Sequence, residues 1–304
     1  MKNSELPTSI LAWRDAGEFL SVSGLQVFFR RLNEQRTDLP WLVCFHGFPT
    51  SSWDWHLLLP GLQQHWRVLV FDFPGYGLSD KPARHDYSLL CQLDVAEGLL
   101  RYCGITRFDL LAHDMGNSVA CELLFRREQG NYPFALNSLV MLNGGVYMDL
   151  HQPLLTQRLL RTPILGPITA RLSSWRLFRL QYPRVYANPA QFNQQHYQEQ
   201  WALIIYKQGR KALSGVASYM KERVRRGERW TGPLHRLELP FSLIWGQQDP
   251  VAVPAIAERI AVNNPHAVLH QLGGVGHYPQ LEAPHAVTEA LIAHAQHSQE
   301  HGDC

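Results

Sequence analysis

Cysteine is scarce in this 304-residue chain and charge is thin, and each shortage closes off a class of protein. The five cysteines (Cys44, Cys91, Cys103, Cys121 and Cys304) are odd in number and lack paired spacing. That pattern excludes a disulfide framework and a zinc site, and leaves reduced thiols in the core or on the surface of a cytoplasmic protein. The N-terminus has no basic stretch followed by an apolar one, and no apolar run approaches the ~20 residues of a membrane span. Internal repeats and low-complexity tracts are missing too. Charged residues make up 18% and the net charge is +2, without the interleaved basic and aromatic residues of a nucleic-acid binder, so no nucleic acid partner is expected. What the chain has in quantity is hydrophobic side chains, 45% of the total, enough for a large packed core.

Those side chains come in short runs. Two strand-like stretches between Phe19 and Leu32 flank Ser23-Gly24 as a hairpin. Continuous apolar runs at Trp41–Phe45 and Arg67–Phe71, and further runs at Phe108, Leu110 and Leu111, at Ser138–Leu142, Phe241–Trp245 and Ala267–Leu272, read as buried strands. Helical periodicity over Ser88–Cys103, Asn117–Arg127 and Pro284–His297 alternates with them, which predicts a mostly parallel sheet with helices on both faces. Residues 146–232 break the alternation. They carry helical patterns (Leu159 to Leu172, Trp201 to Tyr206, Ala212 to Arg223) and five prolines, with no strand signal. The organisation expected is a core of residues 1–145 and 233–304, with a helical lid over the C-terminal strand ends where open α/β sheets bind ligands. The three histidines of the tail (His294, His297, His301) read as a frayed polar terminus, and no metal site is expected.

The chemistry concentrates at Ala112-His113-Asp114-Met115-Gly116, between a strand and a helix. Small residues two before and two after Asp114 let the strand and helix backbones nearly touch, as a nucleophile elbow requires. An elbow usually presents serine, which a histidine must deprotonate; a carboxylate is already ionised at neutral pH. Its attack on an acyl group gives an unstable anhydride, whereas attack on a saturated carbon gives an ordinary alkyl ester that water can hydrolyse. Asp114 taken alone is equally well read as a helix N-cap.

Its partners weigh against that reading. Asp249 follows a buried strand in Trp245-Gly246-Gln247-Gln248-Asp249-Pro250, and His277 follows the last strand in Gly273-Gly274-Val275-Gly276-His277-Tyr278-Pro279. The order nucleophile, acid, histidine makes His277 the general base for water and Asp249 the group that fixes its tautomer. Phe48, after His46-Gly47, and Met115 are the backbone N–H donors expected to form an oxyanion hole, although His46-Gly47 also reads as a plain strand-ending turn. Pro74-Gly75-Tyr76-Gly77 reads as a structural turn.

These motifs resemble the epoxide hydrolase/haloalkane dehalogenase group of the α/β-hydrolase fold over nearly the whole chain. Within that group the sequence is most similar to the mesoderm-specific transcript subfamily and its bacterial members. The subfamily likeness rests on Leu142-Asn143-Gly144-Gly145 leading into His151-Gln152-Pro153-Leu154-Leu155, on Arg229-Trp230-Thr231-Gly232, and on His277-Tyr278-Pro279-Gln280-Leu281-Glu282. The resemblance implies a cofactor-free hydrolase with a small apolar or amphiphilic substrate. Departures narrow the choice. Where haloalkane dehalogenases carry halide-binding tryptophan and asparagine, this chain has Met115 and Phe48; where fluoroacetate dehalogenases carry arginines after the nucleophile, it has Met115 and Ser118. Asn143 cannot serve as the acid. Epoxide hydrolases hold the epoxide oxygen with two lid tyrosines; Tyr219 matches the second, and Tyr182 or Tyr186 could be the first, although a lid tyrosine is most often packing. His113 and Trp53 are further candidates for substrate contact. An epoxide hydrolase is the expected activity, with haloalkane dehalogenation or an idle hydrolase that only binds ligands as the alternatives.

The lid is basic. Residues 146–232 hold 14 of the 28 Lys and Arg and 4 of the 26 Asp and Glu, so the lid is +10 and the remainder −8. Such a face could attract substrates with an anionic head or make weak contact with an anionic membrane surface; it is read equally well as a solvated face without a partner.

Overall fold

A computed structural model describes residues 6–130 and 132–302; Cys304 lies outside them. Among the described residues the chain runs α1 (Thr8–Asp15), β1 (Glu18–Val22), β2 (Leu25–Leu32), β3 (Trp41–Phe45), α2 (Leu59–Leu62), β4 (Arg67–Phe71), α3 (Leu89–Tyr102), β5 (Arg107–His113), α4 (Met115–Glu128) and β6 (Ala135–Leu142). Six helices follow: α5 (Leu155–Leu160), α6 (Leu165–Leu172), α7 (Trp175–Gln181), α8 (Gln194–Ile205), α9 (Leu213–Val216) and α10 (Tyr219–His235). The chain then returns through β7 (Phe241–Gly246), α11 (Ala255–Asn263), β8 (Ala267–Leu272), α12 (Pro279–Glu282) and α13 (Pro284–Gly302).

The eight strands form one sheet in the order β1-β2-β4-β3-β5-β6-β7-β8. β1 and β2 pair antiparallel as the hairpin at Ser23-Gly24, β2 pairs antiparallel with β4, and β4 through β8 are parallel. The inner parallel strands β3, β4, β6 and β7 are buried on both faces along most of their length, which is why they are written as near-continuous apolar runs, whereas β8 at the sheet edge has no fully buried residue and carries His270 and Gln271. Val43, Phe45, Leu69 and Phe71 enter the core on one face of the sheet, while Leu42, Cys44, Val68 and Val70 enter the core on the other. A strand's side chains alternate, so each run feeds both cores.

Two expectations are corrected. The run from Ala212 to Arg223 is two helices, α9 ending at Val216 and α10 beginning at Tyr219. The tail is not frayed at His294: that residue is buried in α13, bonded through Nδ1 to the hydroxyl of Ser242 at 2.8 Å, so the helix is anchored to the sheet. Helix α6 turns its apolar stripe outward: Gly166 and Ala170 are buried while Leu165, Ile168 and Leu172, with Ile164 just before the helix, are exposed. Among the described residues no helix is long and apolar enough to cross a membrane.

Candidate active site

The parallel strands end at one edge of the sheet, and the loops leaving β3, β5, β7 and β8 bring Phe48, Asp114, Asp249 and His277 there. Asp114 joins β5 to α4 with φ 45° and ψ −105°, a conformation that costs a non-glycine residue on the order of 1–3 kcal/mol. The surroundings hold it. A Cβ at Gly116 would lie 2.3 Å from the carbonyl oxygen of Phe45, and one at Gly47 would lie 2.8 Å from Cβ of Asp114, so only glycines permit this approach. The Asp114 carbonyl accepts from Nη2 of Arg223 at 2.9 Å and from the N–H of Asn117 at 3.2 Å. The Asp114 carboxylate makes no capping bond to α4; its Oδ2 accepts from the N–H of Phe48 at 2.9 Å. Met115, the first residue of the helix, has an N–H with no intrahelical acceptor.

His277 is positioned on both sides. Its Nδ1 lies 2.8 Å from Oδ2 of Asp249, which also accepts from Nδ2 of Asn143 at 2.7 Å. The other oxygen of Asp249 accepts from the N–H groups of Val251 and Ala252 at 2.7 and 3.0 Å. With every lone-pair direction engaged, Asp249 can hold the imidazole in only one orientation. The loop itself is pinned by Glu282, whose carboxylate accepts from the N–H groups of Gly276, Tyr278 and, across in the lid, Ala187.

The charges reinforce one another. Burial alone would raise the Asp114 carboxyl, but Arg223, His277, His113 and the Phe48 N–H outweigh it and keep it below the usual carboxylate range. Burial would lower His277; the fields of Asp249 and Asp114 prevail and lift it to about 9. His113 falls to about 3, chiefly through burial and then through His277, and is a neutral ring. Its Nε2 meets the carbonyl of His277 at 2.8 Å, so Nε2 carries the proton and supports the loop from below.

The lid closes the site through one turn of α10. Tyr219 is fully buried with an unpaired hydroxyl, and its ring packs 5.7 Å from that of Phe48. Four residues on, Arg223 lies 4.6 Å over the Tyr219 ring, donates from Nε to the hydroxyl of Ser118 at 2.6 Å, and places Nη2 3.6 Å from Oδ1 of Asp114. Its Nη1 has no partner. His151 is buried beside Arg223, both nitrogens unpaired, and burial followed by the Arg223 charge lowers it to about 3. Sequence reasoning missed both residues as site groups. The available signals were the i,i+4 spacing of Tyr219 and Arg223 and the place of His151 in the lid-entry motif.

An apolar cavity of about 130 Å³ runs from Phe48 and His277 past Tyr182 and Leu160 to Leu177 on α7. Tyr182 contributes a buried, unpaired hydroxyl there. Tyr186 is not part of this lining; its hydroxyl is bonded to Nε2 of His196 at 2.8 Å. Trp53 is elsewhere, stacked on His56 at 4.0 Å and packed edge-on against Trp13 of α1. The turn at Pro74-Gly75-Tyr76-Gly77 reaches the site indirectly, through a 3.0 Å bond from the Tyr76 hydroxyl to Sδ of Met115.

A sequence model for the α/β hydrolase fold matches residues 40–284. The chain belongs to the α/β-hydrolase family. This hydrolase is 37% identical to LipZ of Mycobacterium tuberculosis over 94% of its own length and 97% of that protein. It is 34% identical to the human mesoderm-specific transcript homolog protein, covering 95% of this chain and 88% of that one. Among solved structures, haloalkane dehalogenase DbeA of Bradyrhizobium elkanii superposes with a TM-score of 0.80 at 23% identity, over 93% of this chain and 98% of that chain, a likeness of fold. The fold class and family resemblance expected from the sequence are therefore correct, down to the mesoderm-specific transcript relatives.

Proposed function

We propose that this α/β-hydrolase acts at saturated carbon through an alkyl ester on Asp114, and that its substrate is an epoxide, which it opens to a diol. The observation that carries the proposal is the setting of Asp114: a buried carboxylate held ionised by Arg223, engaged through Oδ2 with an N–H donor instead of capping its helix. In the first step Oδ1 attacks an epoxide carbon, the C–O bond breaks, and the ring oxygen leaves as an alkoxide that takes up a proton. The unpaired hydroxyl of Tyr219 is the donor available to meet it.

Ester formation removes the negative charge of Asp114. That charge is one of those raising His277, so the imidazole becomes easier to deprotonate at the moment a base is required. Neutral His277 takes a proton from water, hydroxide adds to the ester carbonyl carbon, and the oxyanion forms where Oδ2 meets the Phe48 N–H. Collapse breaks the ester C–O bond, the imidazolium of His277 returns its proton to the departing oxygen, and the proton left on the Asp114 carboxyl restores the Tyr219 hydroxyl, so the diol leaves and the carboxylate is regenerated. Support for epoxide over haloalkane comes from the side chains at the halide positions: Phe48 is apolar, and Met115 presents a thioether already bonded to Tyr76. One observation favours halide displacement instead, since Nη1 of Arg223 is a buried, unpaired N–H beside Asp114 that could receive a halide.

The test is intact-mass spectrometry of His277→Gln incubated with a panel of epoxides and haloalkanes. Loss of a general base typically costs ~10²–10⁴-fold in the step it serves, so the ester should accumulate. An adduct of the whole substrate on the Asp114 peptide is the result expected, and an adduct of the alkyl group alone would select the dehalogenase. No adduct on any substrate turned over by the parent protein would rule out the alkyl ester.

A further inference from the structure

The outer surface of the lid is built the wrong way round for water. Of the thirteen large hydrophobic side chains exposed among the described residues, seven lie between Leu155 and Leu180. Helix α6 buries its smallest residues, Gly166 and Ala170, and turns Ile168 and Leu172 outward; Ile164, just before it, is 77% exposed. Helix α7 buries none of its residues and presents Leu177 and Leu180 to the outside. A surface helix in water hides its large apolar residues, so these helices await an apolar neighbour.

The charge on the same surface is of one sign. Residues 150–198 contain no Asp or Glu, while Arg158, Arg171, Arg176, Arg179 and Arg184 are exposed and, among the described residues, form no ion pair. Exposed leucine and isoleucine interleaved with arginine is the composition of helices that lie in a membrane interface, apolar side chains among the acyl chains and guanidinium groups at the headgroups. A second copy of the chain fits poorly, because a symmetric contact would set these arginines against one another. A protein partner fits less well than lipid, since protein interface cores favour aromatic residues and the seven exposed large apolar side chains of this face are all leucine or isoleucine.

The cavity opens on this surface. Leu177 both lines it and is exposed, and Leu160 and Phe178 of the same helices carry the lining inward toward Phe48 and His277. We propose that helices α5–α7 dock this hydrolase onto anionic phospholipid bilayers, with the cavity mouth facing the lipid, so that amphiphilic molecules pass from the bilayer to the site without crossing bulk water. The docking half of the proposal is independent of the chemistry assigned to Asp114.

The full chain is tested by co-sedimentation with phosphatidylcholine vesicles, with and without phosphatidylglycerol. The variants Arg171→Glu/Arg176→Glu and Ile164→Asp/Leu172→Asp change only exposed side chains, and circular dichroism reports that each is folded. The parent protein should bind the phosphatidylglycerol vesicles, lose binding as salt is raised, and bind phosphatidylcholine alone far less. Loss of two membrane-facing arginines should weaken binding by roughly thirty-fold, about fivefold for each charge, before the added repulsion of the glutamates. The aspartate pair should weaken it as well. Equal binding to both vesicle types, no binding to either, unchanged binding by the variants, or a stable dimer broken by the same substitutions would each overturn the proposal.

Discussion

Tyr219→Phe removes a hydroxyl that is buried without a partner, and the consequences for stability and for rate should separate. In the folded protein the hydroxyl is buried with no protein hydrogen-bond partner, and a buried polar group left unmatched costs about 1–3 kcal/mol. Phenylalanine has the same ring, keeps the contacts with Phe48 and Arg223, and removes that cost, so thermal stability should hold or rise. In the alkylation transition state the balance reverses: the hydroxyl meets the departing epoxide oxygen, and its loss should cost about 1–3 kcal/mol, or roughly 5- to 150-fold in rate. The clean assay is single-turnover formation of the adduct by mass spectrometry in the His277→Gln background, alongside a thermal melt of Tyr219→Phe. A rate unchanged by the substitution would remove Tyr219 from the reaction. A melting temperature lowered by several degrees would mean that the hydroxyl is structural and has a partner in the folded protein.

Asp249→Asn removes the largest favourable influence on His277, so the imidazole, about 9 in the parent, should titrate much closer to its ordinary 6.5 in an NMR pH titration; an unmoved midpoint would contradict the pairing. The sign for stability follows. A histidine raised on folding stabilises fully below about pH 6.5 and loses that contribution as pH rises through about 9, so the parent's melting temperature should fall across that window and the variant's should fall less. Arg223→Met should cost roughly 3–5 kcal/mol in urea unfolding, as for one partner removed from a buried pair. It should also move the acid limb of alkylation to higher pH, because burial then raises Asp114 unopposed by that guanidinium; an acid limb that stays put would assign Arg223 to structure alone.

What could be read from the sequence depended on how local its cause was. The strands were legible because burial on both faces writes continuous apolar runs, and Trp41–Phe45 and Arg67–Phe71 match to the residue. Asp114 was legible because an elbow needs small residues at fixed distances, and Asp249 and His277 because each follows the end of a parallel strand. Arg223 was hidden among fourteen basic residues of the lid; only the placement of α10 over Asp114, which aligns it with Tyr219 and Ser118, distinguishes it from neighbours such as Arg225 and Arg226. His151 has no chemical signature beyond burial. Tyr182 and Tyr186 are four residues apart and indistinguishable by pattern, yet one hydroxyl is unpaired at the cavity and the other is tied to His196. The apolar period of α6 was visible, but which way it faced was not, because periodicity reports a stripe and not the identity of what covers it.

Where the oxygen of water goes first decides most directly whether Asp114 is the nucleophile. One turnover in H2-18O, with enzyme in excess over epoxide and digestion of the protein afterwards, follows it. Label is expected in the carboxylate of Asp114, since hydroxide adds to the carbonyl carbon of the enzyme's own ester, with unlabelled oxygen in the diol. Label in the diol with none in Asp114 would mean that water attacks the substrate directly, and it would contradict Asp114 as nucleophile.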